Sequence, residues 1–216
     1  MNSAEVEQTL LNDGLVAIVR GEFSVVEQEA IAEALLAGGV RILEITLNTT
    51  DALTGVRRLN ERFPDDLLVG AGTVRTAADA RRARAAGAQF LVAPGLDLDT
   101  VAAAQEHDVL MLPGVFTATE AMAARAAGCR LLKLFPADAL GPSYLKALRA
   151  PLDDVHFVPT GGVDPETLGA FYRVGAAAFG IGSYLVKNVR VTAAELEGLT
   201  ARARLLRRAL DDARGS

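Results

Sequence analysis

The chain has little of what metal and redox chemistry need. Its 216 residues include one cysteine, Cys129, so no intrachain disulfide can form. The two histidines, His107 and His156, share no ligand-like spacing with Cys129, which argues against a His/Cys metal site. Trp is absent and aromatics make up 5%. Ala and Leu dominate instead, which suits many helices packed around a small sheet. No apolar run approaches the ~18 residues of a spanning helix. Residues 1–12 are polar and acidic, unlike a secretory leader. The expectation is a cytoplasmic protein with no membrane partner. Positive charge is not in excess: 22 Lys and Arg against 27 Asp and Glu give a net charge of −5. That balance argues against general nucleic-acid or membrane-surface binding, and leaves room for a local basic pocket for an anionic metabolite.

What is present is alternation. Short β-like runs at 15–19, 42–47, 67–71, 89–93, 109–112, 130–134, 156–159 and 177–181 are each bounded by Gly, Pro, Thr or Asp. Helical patterns lie between them, such as 25–37, 51–62, 77–86 and 119–127. Ser24, Thr119 and Asp164 (with Pro165 behind it) are N-cap candidates. Gly38, Gly87, Gly128 and Gly175 suit the left-handed position after a helix. "LLAGGVRILEI", "RAAGAQFLVA" and "RAAGCRLLKLF" read as copies of one αβ unit. Eight such units predict an α/β fold, a (β/α)8 TIM barrel, as one domain over 1–216 with a helical extension at about 1–13 and a closing helix at about 192–214. A doubly wound open sheet is the rival.

The predicted strands end in polar, Gly or Pro residues: Arg20, Glu44 to Asn48, Gly72-Thr73, Pro94-Gly95, Pro113-Gly114, Lys133 to Pro136, Thr160-Gly161-Gly162 and Gly182-Ser183. In such a barrel that end carries the chemistry. Lys133 lies among Leu131, Leu132, Leu134 and Phe135. Burial disfavours the ammonium and would leave an amine able to attack a carbonyl, unless the lysine snorkels to water. Glu44, in "RILEITL", is either a general acid/base or half of a buried ion pair. Gly161-Gly162 and Gly180-Ile181-Gly182-Ser183 are either a phosphate cradle or ordinary tight turns.

Taken in order, "LEITL", "VGAGTV", "VAPGL", "LPGV", "LKLFPA", "FVPTGGV" and "GIGSYLV" resemble the 2-keto-3-deoxy-6-phosphogluconate aldolases and their 4-hydroxy-2-oxoglutarate relatives, over about residues 15–186. The resemblance implies a class I aldolase and assigns roles. Lys133 is the Schiff-base lysine, and Glu44 is the acid/base residue working with a water. Thr73, Pro94 and Phe135 line the keto-acid pocket. Arg20 lies near the anionic end of the substrate. Thr160, Gly161 and Gly162, facing Gly182 and Ser183, hold the phosphate. It implies no metal or organic cofactor, a phosphorylated 2-keto-3-deoxy sugar acid and pyruvate as small-molecule partners, and a homotrimer. Gluconate-type members often carry an arginine where this chain has Asn48, which resembles the galactonate type, whereas Thr160 in "PTGG" resembles the gluconate type. The motifs thus leave open the gluconate, galactonate or 4-hydroxy-2-oxoglutarate substrate, and what binds the carboxylate. A phosphate-binding barrel isomerase using Glu44 as base, and an inactive sugar-phosphate sensor, are the readings outside the aldolases.

Overall fold

The structure, a computed structural model, describes residues 1–186 and 190–215. After helix α1 (Ser3–Asp13), strands and helices alternate: β1 (Leu15–Val19), α2 (Val25–Ala37), β2 (Ile42–Thr46), α3 (Ala52–Arg62), β3 (Leu68–Gly72), α4 (Ala77–Ala85), β4 (Phe90–Val92) and α5 (Leu98–Gln105). The second half runs β5 (Leu110–Leu112), β6 (Gly114–Val115), α6 (Ala118–Ala126), β7 (Leu131–Leu134), α7 (Gly141–Arg149), β8 (His156–Pro159), α8 (Pro165–Arg173), β9 (Phe179–Ile181) and α9 (Ala193–Gly215).

All strand pairs are parallel, in a six-stranded sheet ordered β5-β4-β3-β2-β1-β9 and a three-stranded sheet ordered β6-β7-β8. Two seams join them into a ring. At the first, Pro113 interrupts the fifth barrel strand because it has no N–H to donate. Its carbonyl still accepts from the Lys133 amide at 3.0 Å, so β5 and β6 are two halves of one strand beside β7. At the second, β8 meets β9 through a Thr160–Gly180 bridge and an Ala177 N–H donated to Phe157 O at 2.9 Å. The fold is the (β/α)8 barrel expected from the sequence, with nine strand segments in eight positions among the described residues.

Alternation along each strand sorts the core. Val19, Leu43, Val69, Leu91, Leu132 and Phe157 face outward into the layer shared with the helices. Val16, Ile42, Leu68, Phe90, Leu110, Leu131 and Val158 face the barrel axis in a separate inner cluster. The floor of that cluster is closed by Val6 and Leu10 of α1, both fully buried. Helix α1 starts on an Asn2–Glu5 capping box and ends at Gly14, φ 85°. Arg207 of α9 ties the floor together, pairing with Asp13 at 2.6 Å and donating to Gly39 O at 2.9 and 3.0 Å.

Three local expectations are corrected. Helix α6 is capped by Thr117, not Thr119, because Glu120 three residues on completes a capping box. Gly87, Gly128 and Gly175 do take positive φ, but Gly38 keeps φ −90° and Gly39 makes the left-handed turn at φ 84°. Most strand limits shift by one or two residues; for example the last begins at Phe179 rather than at 177.

Candidate active site

Period-two alternation aims the two anomalous charges. Ile42 and Leu131 belong to the inner cluster, so Glu44 and Lys133, two residues further along β2 and β7, also face the barrel axis. Glu44 is 2% exposed and Lys133 4%. Glu44 is in register with Ile18 and Gly70, and Lys133 with Gly114 and Val158. Among the described residues they form no ion pair within 4.0 Å, yet each feels the other's charge.

Electrostatics moves the two groups toward their neutral forms. Burial pushes Glu44 above the ordinary carboxylate range, and the positive charges of Lys133 and Arg20 oppose it. Burial pushes the Lys133 ammonium below the ordinary lysine range. The nearby Arg20 charge adds to this, and the Glu44 charge opposes it. The sequence alone left that contest open; the burial effect is the larger. Lys133 Nζ also lies 4.7 Å from the centre of the Phe135 ring, a contact that favours a cation. Glu44 Oε1 is buried and has no hydrogen-bond partner among the described residues. A buried carboxylate oxygen is costly to leave without a partner.

Gly72 makes room for that carboxylate. A Cβ there would come within 2.5 Å of Glu44 Oε1 and 2.8 Å of its carboxyl carbon. Gly180 does the same for Thr160, whose Oγ1 lies 2.3 Å from where a Cβ would be.

Above Lys133 opens a cavity of about 450 Å³. Arg20, Lys133, Phe135, Thr160, Gly161, Gly162, Gly182 and Ser183 all line it. These come from the ends of β1, β7, β8 and β9, so the expected phosphate residues and the lysine share one space. The loop after β8 uses consecutive glycines, Gly161 at φ 99° and Gly162 at φ 67°, and a Cβ on Gly162 would meet Asp138 at 2.4 Å. After β9 the chain makes a single turn: Gly182 O accepts from the Leu185 and Val186 amides, both at 2.9 Å. The first amides of that turn have no acceptor within it.

Three expected site residues lie elsewhere around the mouth. Glu44, in register with the cavity-lining Ile18, is not itself on the cavity wall. Thr73 lines a second cavity of about 330 Å³ with Asn48, Arg75 and Arg82. Its φ of 58° is unusual for a residue branched at Cβ, a conformation that costs about 1–3 kcal/mol and gathers at functional sites. Pro94 is exposed at the end of β4, with its carbonyl against Gly114. The sequence reading missed Ile18, Val163 and Val186 on the cavity wall. Ile18 was findable, two residues before Arg20 on the inward face of β1; Val163 and Val186 carry no signal of their own.

Comparison with known proteins is consistent in direction. The profile of the family described as KDPG and KHG aldolase matches residues 6–201. A probable 2-dehydro-3-deoxy-6-phosphogalactonate aldolase of Rhizobium meliloti is 38% identical, over 80% of this chain and 82% of the relative. A 2-dehydro-3-deoxy-phosphogluconate aldolase of Pseudomonas aeruginosa is 45% identical, over 67% of this chain and 66% of the relative. Among solved structures, the KDPG aldolase of Legionella pneumophila, with pyruvate captured at low pH as a covalent carbinolamine, superposes with a TM-score of 0.82. It is 31% identical and covers 91% of this chain and 96% of that one.

Proposed function

The chain belongs to the KDPG and KHG aldolase family, and on that premise we propose that Lys133 forms the Schiff base through which it cleaves a 2-keto-3-deoxy-6-phospho sugar acid to pyruvate and glyceraldehyde 3-phosphate. It is a carbon–carbon lyase of the lysine Schiff-base class. The observation that carries the assignment is the inward-facing, 4%-exposed Lys133, opposite a buried, unpartnered Glu44 and under a glycine-walled cavity.

Burial favours the neutral amine, the form that attacks the C2 ketone. Loss of water from the carbinolamine leaves an iminium cation, which the face of Phe135 favours. The iminium is the electron sink. Glu44, directly or through a water, takes the proton of the C4 hydroxyl. The C3–C4 bond then breaks, leaving an enamine on Lys133 and releasing the aldehyde. Protonation of C3 and hydrolysis of the imine free pyruvate and return the amine. Gly161, Gly162, Gly182, Ser183 and Thr160, on the cavity wall, would take the phosphate, and Arg20 and Phe135, on the same wall, the keto-acid end; the family resemblance adds Thr73 and Pro94 to that end. Binding energy from the remote phosphate can then orient the reacting bond. A barrel domain spanning the chain, a homotrimeric assembly and a cytoplasmic location belong to the same proposal; no helix among the described residues is long and apolar enough to cross a membrane.

The relatives point to both epimers, and Asn48 and Thr160 point in opposite directions. We place the gluconate epimer first, because Thr160 is on the wall of the cavity that holds Lys133 whereas Asn48 lines a separate one. Measuring kcat/KM on the two phosphorylated epimers and on 4-hydroxy-2-oxoglutarate tests this. A gluconate preference supports it, and a galactonate preference overturns the ordering while leaving the aldolase chemistry intact.

A further inference from the structure

The wall of the cavity formed by Gly182, Ser183 and Val186 is not held by its own strand. Strand β9 ends at Ile181, and among the described residues the bonds within the turn that follows are the two accepted by Gly182 O. Its far end is gripped from outside the barrel. Arg202, in the middle of α9, donates from Nε at 3.1 Å and from Nη2 at 2.8 Å to the carbonyl of Leu185. The same Nη2 pairs with Glu195, one helical stretch earlier, at 2.7 Å. The Arg202 side chain is 17% exposed, so both contacts are shielded from solvent.

That grip stands on a rigid base. Leu185 is fully buried and packs with Phe23, Leu199 and Leu196 in the space around Arg202. Helix α9 is fastened to α2 by the Thr200 hydroxyl, which donates to Ala34 O at 2.9 Å, and by the close approach of Ala203 to Gly38, where a Cβ would meet it at 2.3 Å. A guanidinium that donates twice to one carbonyl fixes the direction of that peptide unit. Gly182 and Ser183, at the other end of the turn, line the cavity.

We infer that Arg202 is a positioning residue for the phosphate end of the substrate: it touches no substrate atom, and acts by orienting the turn at 182–186 so that Gly182 and Ser183 close on the anion. The inference rests on the aldolase reading, in which this wall takes the phosphate. It predicts a division between substrates that a purely structural role does not produce, because 4-hydroxy-2-oxoglutarate has no phosphate for the turn to hold.

The experiment compares Arg202→Ala, Arg202→Lys and the unmodified protein on the phosphorylated sugar acid and on 4-hydroxy-2-oxoglutarate. In Arg202→Ala, KM for the phosphorylated substrate rises by about tenfold or more, the size of a lost charged hydrogen bond, while kcat stays within about threefold. Turnover of 4-hydroxy-2-oxoglutarate is unchanged. Arg202→Lys falls between, since a single ammonium cannot reproduce the fork that serves Leu185 and Glu195 together. Equal loss on both substrates, or no change on either, overturns the inference. If Arg202→Ala does not fold, Arg202→Lys decides by the same comparison. An unmodified protein that cleaves neither substrate, or shows no preference for the phosphorylated one, refutes the underlying reading instead.

Discussion

The sharpest structural prediction concerns Gly72 rather than a charged residue. Gly72 is not in the left-handed region, so its backbone accepts alanine, and the substitution tests space alone. The added Cβ would lie 2.5 Å from Glu44 Oε1, 2.8 Å from its carboxyl carbon and 3.1 Å from Thr46 Cγ2. Ordinary contact begins at 3.4 Å, so the carboxylate must withdraw by about 0.9 Å. The strand cannot move to relieve this, because Glu44 is clamped in register between β1 and β3. Misplacing a catalytic group by about 1 Å costs about 100-fold, within the roughly 100- to 10,000-fold that a positioned acid or base contributes. Gly72→Ala therefore lowers kcat/KM by about 100-fold. Overpacking costs about 1–3 kcal/mol, a loss of roughly 2–12 °C in Tm. Lys133 is on the far side of the barrel on β7, so borohydride still traps pyruvate on it. Steady-state kinetics, thermal melting and trapping on one preparation read all three. A variant within about threefold of the parent kcat/KM would refute the placement of Glu44 as the acid/base group, and trapping lost in step with turnover would show that the barrel itself had deformed.

The remaining predictions test charge and packing. Because the Glu44 charge opposes the burial-driven depression of the Lys133 ammonium, Glu44→Gln removes the opposition, and the pH at which pyruvate becomes trappable moves down; a limb that stays or moves up contradicts the coupling. Arg20→Gln works in the opposite sense, moving the same limb to higher pH, since the Arg20 charge helps depress Lys133. Leu10→Ala opens a hole in the barrel floor, far from the chemistry. It costs about 2–5 kcal/mol and roughly 5–15 °C in Tm while leaving kcat/KM near the parent value, and denaturant melts with parallel kinetics check it.

Much of the barrel was legible because each level of the sequence agrees with the others. Runs such as "LVAIV" and "RILEI" are too apolar for a one-sided sheet, and glycine closes helix after helix. Boundaries were harder. The double glycine at 38–39 supports either residue as the left-handed one, and only packing of Gly38 against Ala203 decides for Gly39. The Thr117–Glu120 capping box was present in the sequence, and Thr119 lacks the glutamate that would have supported it. Pro113 looked like a strand end; its carbonyl in fact continues the ladder to β7.

The site divides in the same way. Lys133 and Glu44 stood out because a charge inside an apolar strand is expensive, and that signal is local. Thr73 was found by its motif, but its positive φ is set by the loops around it and leaves no mark on the residue. The functions of Gly72 and Arg202 are relations across the fold, one to Glu44 on the next strand and one to Leu185 seventeen positions earlier. Neither has a pattern that a linear reading detects.

The central claim is that Lys133 is the nucleophile. The chain has three lysines, Lys133, Lys146 and Lys187, so peptide mapping after borohydride reduction in the presence of pyruvate gives an unambiguous answer. The account predicts one stable adduct, on the peptide that contains Lys133, with both adduct and turnover lost in Lys133→Ala. An adduct on Lys146 or Lys187, or a Lys133→Ala protein that cleaves substrate at the normal rate, would contradict it.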